Sequence, residues 1–343
     1  MRVDDNKFCI LSPWLDQSLT IASFLKSYFP MSTILGVTLN GEMSETGYGI
    51  YKRVISVNDF DFESTDTIVV PTGARSTRLA LQRGDVTLGS ITLTQNALRV
   101  YDKAWIIAVA SSIGIPTPLT WQDLADVTSY PLFYKQSQEW GGGARGIAKD
   151  ESNVPLIDRD KLIFQEFIAS QGTYGVSFLA EHGRILTSYT HYERESLPRE
   201  GGSAVIIENF SDSRLLDYTQ RLLRLLDYSG WGLVEYKYCP RRKDFVFMEV
   251  NAKFWASCEF AFRNNPMFLK LLFDIDSKET PVQRMVFIER AIARGIPFFV
   301  RHLHVFFSGS ALQVYPGWIF RAMRATLPPT VRQNLKQLKS RLS

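Results

Sequence analysis

Short apolar runs set apart by polar turns open the chain. F-C-I-L from Phe8, T-I-L-G-V-T-L from Thr33 and D-T-I-V-V-P from Asp66 have the length and apolar character of buried strands. Between the first two, S-P-W-L-D-Q-S-L-T-I-A-S-F-L-K-S-Y-F spaces its apolar residues three and four apart, the period of a helix. Strand, helix, strand in that order predicts a parallel sheet and a small α/β unit up to about residue 100. One long helical pattern follows, from Asn96 through Lys103 to Ile113, and Gly114, Pro116 and Pro118 stop it.

Beyond Pro118 strands prevail. Y-P-L-F-Y-K ends at Lys135, and Q-S-Q-E-W-G-G-G-A-R-G after it is a glycine-rich loop. K-L-I-F-Q-E-F-I, with Glu166, Phe167 and Ile168 at its end, is another strand. T-Y-G-V-S-F-L-A and R-I-L-T-S-Y-T-H-Y flank the turn E-H-G and predict a hairpin. S-D-S-R-L-L-D-Y-T-Q-R-L-L-R-L-L-D-Y is an amphipathic helix with a capping aspartate. A second hairpin follows, G-W-G-L-V-E-Y-K-Y-C turning through P-R-R-K-D into F-V-F-M-E-V-N. From Pro281 apolar and basic residues mix in expected helices. P-F-F-V-R-H-L-H-V-F-F, from Pro297, has instead the texture of a strand, which would put His302 and His304 on one face; with no third ligand in view they point to a structural role.

Composition is that of an ordinary globular protein, with 45% hydrophobic and 22% charged residues in 343. No window reaches the roughly 18 apolar residues of a membrane span. The N-terminus carries acids early and lacks the apolar run of a secretory signal. Cys9, Cys239 and Cys258 are scattered, as reduced thiols of a cytoplasmic protein would be. The net charge of +4 is unevenly placed, since Ser277 to Ser343 carries 11 Lys/Arg against 2 Asp/Glu. A basic end suggests an anionic partner. The segments from Val314 fit amphipathic helices, either lying on an anionic membrane as a peripheral contact or packed with a basic outer face. No nucleic-acid recognition motif is present, so none is expected as a partner.

The second hairpin carries the chemistry. Residues two apart on a strand share a face, so Glu249 and Asn251 point the same way, and Glu235 on the facing strand can join them. Two carboxylates and an amide oxygen make a poor core and a good cradle for Mg²⁺, which takes hard oxygen ligands and shares its shell with substrate phosphates. A nucleotide is therefore expected. Lys135 stands beside Gly141, Gly142 and Gly143, whose backbone N–H groups can converge on phosphate; taken alone, such a loop is more often a flexible hairpin tip. The spacing is neither that of a P-loop nor of a dinucleotide fingerprint.

The order Lys103, Lys135, glycine loop, Glu166, Glu235, Glu249, Asn251 resembles the ATP-grasp superfamily of carboxylate–amine and carboxylate–thiol ligases, over roughly residues 1–275. The segment H-Y-E-R-E-S-L-P-R-E-G-G-S from His191 resembles a substrate loop of the carbamoyl-phosphate synthase and biotin carboxylase branch. The resemblance implies a pre-ATP-grasp α/β domain over 1–100 and an ATP-grasp domain over 101–275. In the latter, α+β lobes of about 120–170 and 171–275 clasp ATP, and a basic, mostly helical region of 276–343 follows. It implies ATP with two Mg²⁺ ions, Mn²⁺ being an alternative, and Glu249 bridging the metals with Glu235 and Asn251. Lys103 and Lys135 would hold phosphates, and Glu166 with the backbone of Phe167 and Ile168 would read adenine. Lys253 and Arg194 are the catalytic candidates for the γ-phosphate or the incoming carboxylate. The implied reaction activates a small-molecule carboxylate as an acyl phosphate for an amine or thiol; phosphoryl transfer alone, or nucleotide binding without catalysis, are the alternatives. Three positions depart from the pattern: Gln136 for a proline, Ala144-Arg145 for a serine in the loop, and Ala252-Lys253 where proline and arginine are usual.

Overall fold

The structure, a computed structural model, describes residues 6–42, 49–138, 140–156, 158–198, 202–307, 310–313 and 319. Strand β1 (Lys7–Leu11), helix α1 (Asp16–Tyr28) and strands β2 (Thr33–Thr38), β3 (Arg53–Ser56) and β4 (Thr67–Pro71) build a parallel sheet of order β3-β2-β1-β4. From Phe8 to Leu11, β1 is buried on both faces, which its unbroken apolar run requires. Helix α2 (Ala74–Leu81) and a hairpin of β5 (Val86–Leu88) and β6 (Ile91–Leu93) complete this part.

The long helix expected from Asn96 is broken. Residues Gln95–Tyr101 form 3-10 turns, and α3 begins afresh at Lys103 (Lys103–Ser112). Asp102 is the cause: its carboxylate accepts the Trp105 N–H at 2.9 Å, capping a new helix rather than continuing an old one. Lys103 thereby stands at a helix start, its N–H donating to Ser137 O at 2.8 Å, next to the strand that carries Lys135.

Strands β7 (Thr120–Trp121), β8 (Leu132–Gln136), β9 (Arg145–Ala148) and β10 (Leu162–Glu166) form an antiparallel sheet of order β7-β10-β8-β9. The largest sheet uses β11 (Thr173–Glu181), β12 (Arg184–Leu197) and β13 (Ser203–Asn209), then, after helix α4 (Ser213–Leu225), β14 (Gly230–Cys239) and β15 (Asp244–Asn251). Both expected hairpins, β11–β12 and β14–β15, are present. Helix α4 lays Leu215, Leu222 and Leu223 on the sheet, and α5 (Cys258–Asn264) and α6 (Met267–Phe273) pack on its far side toward α1, where Phe24 meets Phe262 edge to face.

Strand β16 (Arg284–Phe287) joins this sheet beside β13. Helices α7 (Ile288–Ala293), α8 (Ile296–Arg301) and α9 (Leu303–Phe307) follow, and β17 (Ala311–Gln313) closes the order β15-β14-β11-β12-β13-β16-β17. The strand expected from Pro297 is thus two short helices. Pro297 sits in the first turn of α8, where its fixed φ suits a helix, and a nearly continuous apolar run had hidden the 3–4 spacing of the buried Phe298, His302 and Val305. His302 and His304 do not share an environment. His302 is buried, with Nε2 3.5 Å from Glu195 Oε1, whereas His304 is exposed. The amphipathic helices expected from Val314 lie outside the described residues but for Ile319.

Candidate functional site

Register builds the site across four adjacent strands. Glu235 on β14 stands directly opposite Glu249 on β15, opposite Gly175 on β11 in the other direction, and Gly175 is opposite His191 on β12. Directly opposed residues face the same side of a sheet, so this is one row. Gly175 is required there: a Cβ would lie 2.5 Å from His191 Cε1. Asn251 lies one step further along β15, and its Nδ2 donates to Glu235 Oε1 at 2.9 Å and, more weakly, to Glu249 Oε1 at 3.4 Å. The three predicted oxygen donors are therefore together.

A bulge at Glu235/Tyr236 adds something that alternation did not foretell. Glu249 pairs with Glu235 but Phe247 pairs with Tyr236, so Met248 is the extra residue. Its carbonyl, freed from the ladder, accepts Lys135 Nζ at 3.1 Å, and Met248 lines the same cavity as Glu249. Lys135 and Lys103 both reach Glu249 Oε2 at 3.3 Å, one from β8 and one from the start of α3.

The cavity these residues surround has a volume of about 310 Å³. Among the described residues its wall carries five Lys/Arg (Lys103, Lys135, Arg145, Lys237, Lys253) and three glutamates (Glu193, Glu235, Glu249), an excess of positive charge that suits a polyanion. Gly142 and Gly143 line it from the turn of the β8–β9 hairpin, while Gly141 lies outward beside Ala74. All three have φ between 80° and 149°, a region that side-chain-bearing residues rarely adopt, and a Cβ on Gly143 would strike Gln136.

Burial and charge set the two acids apart. Burial, then the neighbouring charges of Glu249 and Glu193, push the Glu235 pKa up to about 8. Burial works against the charge of Glu249 too, but Lys103, Lys135 and Lys253 outweigh it and hold its carboxyl well below the usual carboxylate range. Burial lowers the pKa of Lys135, opposed by Glu249. Without a further cation, Glu235 is thus a buried carboxyl whose direct partner is an amide. A divalent ion would supply the missing charge, and two carboxylates with an amide fit a hard, oxygen-seeking one. Among the described residues no three His, Cys, Asp or Glu side chains gather as an alternative metal site.

Other predicted residues fall further out. Glu166 is tied to Arg242 in a salt bridge and accepts Leu119 N–H at 3.3 Å, and its side chain does not line the cavity. Ile168 belongs to an apolar cluster with Cys239, Val246 and Met248 at the cavity's edge. Lys253 lines the cavity, but Arg194 does not. Arg194 is the extra residue where β12 shifts register against β13, and its Nε turns to Glu208 Oε2 at 3.3 Å. Sequence reasoning missed Glu193, Lys237, Gln17 and Trp255, all in the cavity wall. For Lys237 the signal was present, two positions beyond Glu235; Gln17 comes from α1, and no local pattern announces that approach.

No protein-family model matches the chain. Biotin carboxylase from Campylobacter jejuni, solved with β-γ-ATP, superposes with a TM-score of 0.57 over 83% of this chain and 75% of that one, at 12% identity. L-amino acid ligase from Bacillus licheniformis gives 0.58 over 82% and 79%, at 13% identity. The chain has the ATP-grasp fold. A urea amidolyase of Lachancea kluyveri is 24% identical over 237 residues, 62% of this chain but 12% of that protein, so the chain spans about an eighth of the curated relative it matches. In ATP-grasp terms, the antiparallel β7–β10 sheet and the seven-stranded sheet face each other across the cavity, and Lys135 joins them through its bonds to β15.

Proposed function

We propose that the chain is an ATP-dependent ligase that activates a small-molecule carboxylate as an acyl phosphate for attack by an amine, or less often a thiol. One observation carries this reading: Glu235, Glu249 and Asn251 meet in a positively lined cavity, with Lys103 and Lys135 both on Glu249. Mg²⁺ bound by these three residues, as two ions with Glu249 between them or as Mn²⁺, would neutralise phosphate charge. A cation held by Glu249 would compete with Lys103 and Lys135 for its carboxylate, and their ammonium groups could then turn to phosphate oxygens. Lys253, whose charge acts on both carboxylates, is placed for the γ-phosphate or the carboxylate substrate. Catalysis by such a site is mostly positioning and stabilisation of developing negative charge.

The order of residues along the sheet supports a direction for the nucleotide. From the metal row, Lys237, Thr173 and Glu193 come next, with Thr173 directly opposite Glu193. The cluster of Ile168, Cys239, Val246 and Met248 flanks this row, with Val246 directly opposite Lys237. Triphosphate, ribose and adenine fall on these in turn. The adenine then lies beside the segment Glu166–Ile168, and the Glu193 carboxylate can accept from ribose hydroxyls. We likewise assign 1–100 to a pre-ATP-grasp unit, 101–275 to the ATP-grasp domain and 276–343 to a basic addition; the four-stranded parallel sheet lies wholly within the first of these.

The test is incubation of the protein with Mg·ATP and pools of carboxylates and amines, followed by ADP assay and product mass. ADP together with a new amide or thioester is expected. A phosphorylated acceptor without either would make it a phosphotransferase, and no ADP from any pool would contradict catalysis.

A further inference from the structure

The C-terminal helices carry apolar side chains that the fold leaves in solvent. Ile296 is 79%, Val300 63% and Leu303 50% exposed. Steps of four and three put them in one stripe across α8 and α9. The opposite side of the same helices is already used: Phe298 and Val305 are buried with Val205, Ile206 and Val286. Phe299 and Phe306, stacked at 4.9 Å, are half-buried between the two sides. A helix apolar on both sides needs a second apolar surface.

Charge narrows what that surface is. From Arg290 to Ser343 the sequence has nine Lys/Arg and no Asp or Glu, six of the nine lying from Arg321 onward, outside the described residues. Arg290 pairs with Asp16, and Arg294 with Glu195 at 3.1 Å, anchoring α7 and its C-terminal end to the body of the protein. Arg301 and His304 are exposed on α8 and α9. An apolar stripe in a stretch of purely positive charge is what binds at the boundary of an anionic bilayer, where side chains enter the acyl edge and cations meet headgroups. No helix among the described residues is long and apolar enough to cross a membrane, so the contact is peripheral.

We propose that the exposed stripe of α8 and α9 docks on an anionic lipid surface. The proposal is independent of the ligase reading, because none of its residues belongs to the cavity.

Co-sedimentation of the full chain with vesicles tests it, using phosphatidylcholine alone and phosphatidylcholine mixed with phosphatidylglycerol. Binding to the mixed vesicles, weakening with salt, is expected. The double variant Ile296→Asp/Val300→Asp should bind about tenfold more weakly or worse, and Arg301→Glu should lose part of the binding, with unchanged far-ultraviolet dichroism and melting. Undiminished binding by the double variant, or no binding by the wild type, would overturn the proposal. So would a wild-type dimer in solution that the double variant dissociates, since a second copy would then cover the stripe.

Discussion

Glu235 and Glu249 stand directly opposite each other on adjacent antiparallel strands. Like charges in that position destabilise a sheet, and the protein answers asymmetrically: three lysines stabilise the charge of Glu249, while burial raises the pKa of Glu235 to about 8. The asymmetry has measurable consequences.

Stability of the ligand-free protein should fall as pH rises from about 4.5 to about 8. Folded, Glu235 keeps its proton to about pH 8, whereas the unfolded chain releases it near the ordinary 4.5. Its contribution is therefore full below 4.5 and is lost as pH passes through 8. Urea melts across this window should show the decline, and Glu235→Gln should flatten it. The carboxyl of Glu249, held low, works in the opposite sense, its contribution being lost below pH 4.5.

A cation at Glu235 must displace that proton. Mg²⁺ or Mn²⁺ binding should release protons and weaken as pH falls below about 8. Calorimetry in buffers of different ionisation enthalpy reads the proton count, and a count of zero at pH 7 would contradict the assignment.

Lys135→Met should lower ATP-dependent turnover by roughly 10²–10³-fold, the usual effect of losing one preorganised electrostatic partner. The melting temperature should fall as well, because Glu249 loses one of its buried cationic partners and the Met248 carbonyl loses its donor. Steady-state ADP release and a thermal melt check both halves.

Glu193→Gln should raise KM for ATP by about 10-fold or more, the worth of a hydrogen bond to a charged acceptor. It should have little effect on KM for a 2′,3′-dideoxy analogue. Equal effects on both nucleotides would move Glu193 away from the ribose.

Period-two alternation made the acid pair and Asn251 legible in the sequence, because both strands read cleanly inside and outside. Lys135 and the glycines were legible for the same local reason. The bulge that offers the Met248 carbonyl to Lys135 was not, since one extra residue leaves no mark in composition. Arg194 was misleading on the same ground: a register shift in β12 sends it to Glu208 while its neighbour Glu193 enters the cavity. The helices at 296–307 were hidden because apolar residues on both sides erase the period that separates helix from strand.

A crystal structure with Mn²⁺ and a non-hydrolysable ATP analogue tests the central claim most directly. Anomalous density should appear within about 2.2 Å of carboxylate oxygens of both Glu235 and Glu249, with phosphate oxygens completing the shell and Lys103 and Lys135 turned to the triphosphate. Metal and nucleotide bound elsewhere, with the Lys103 and Lys135 contacts to Glu249 intact, would contradict it.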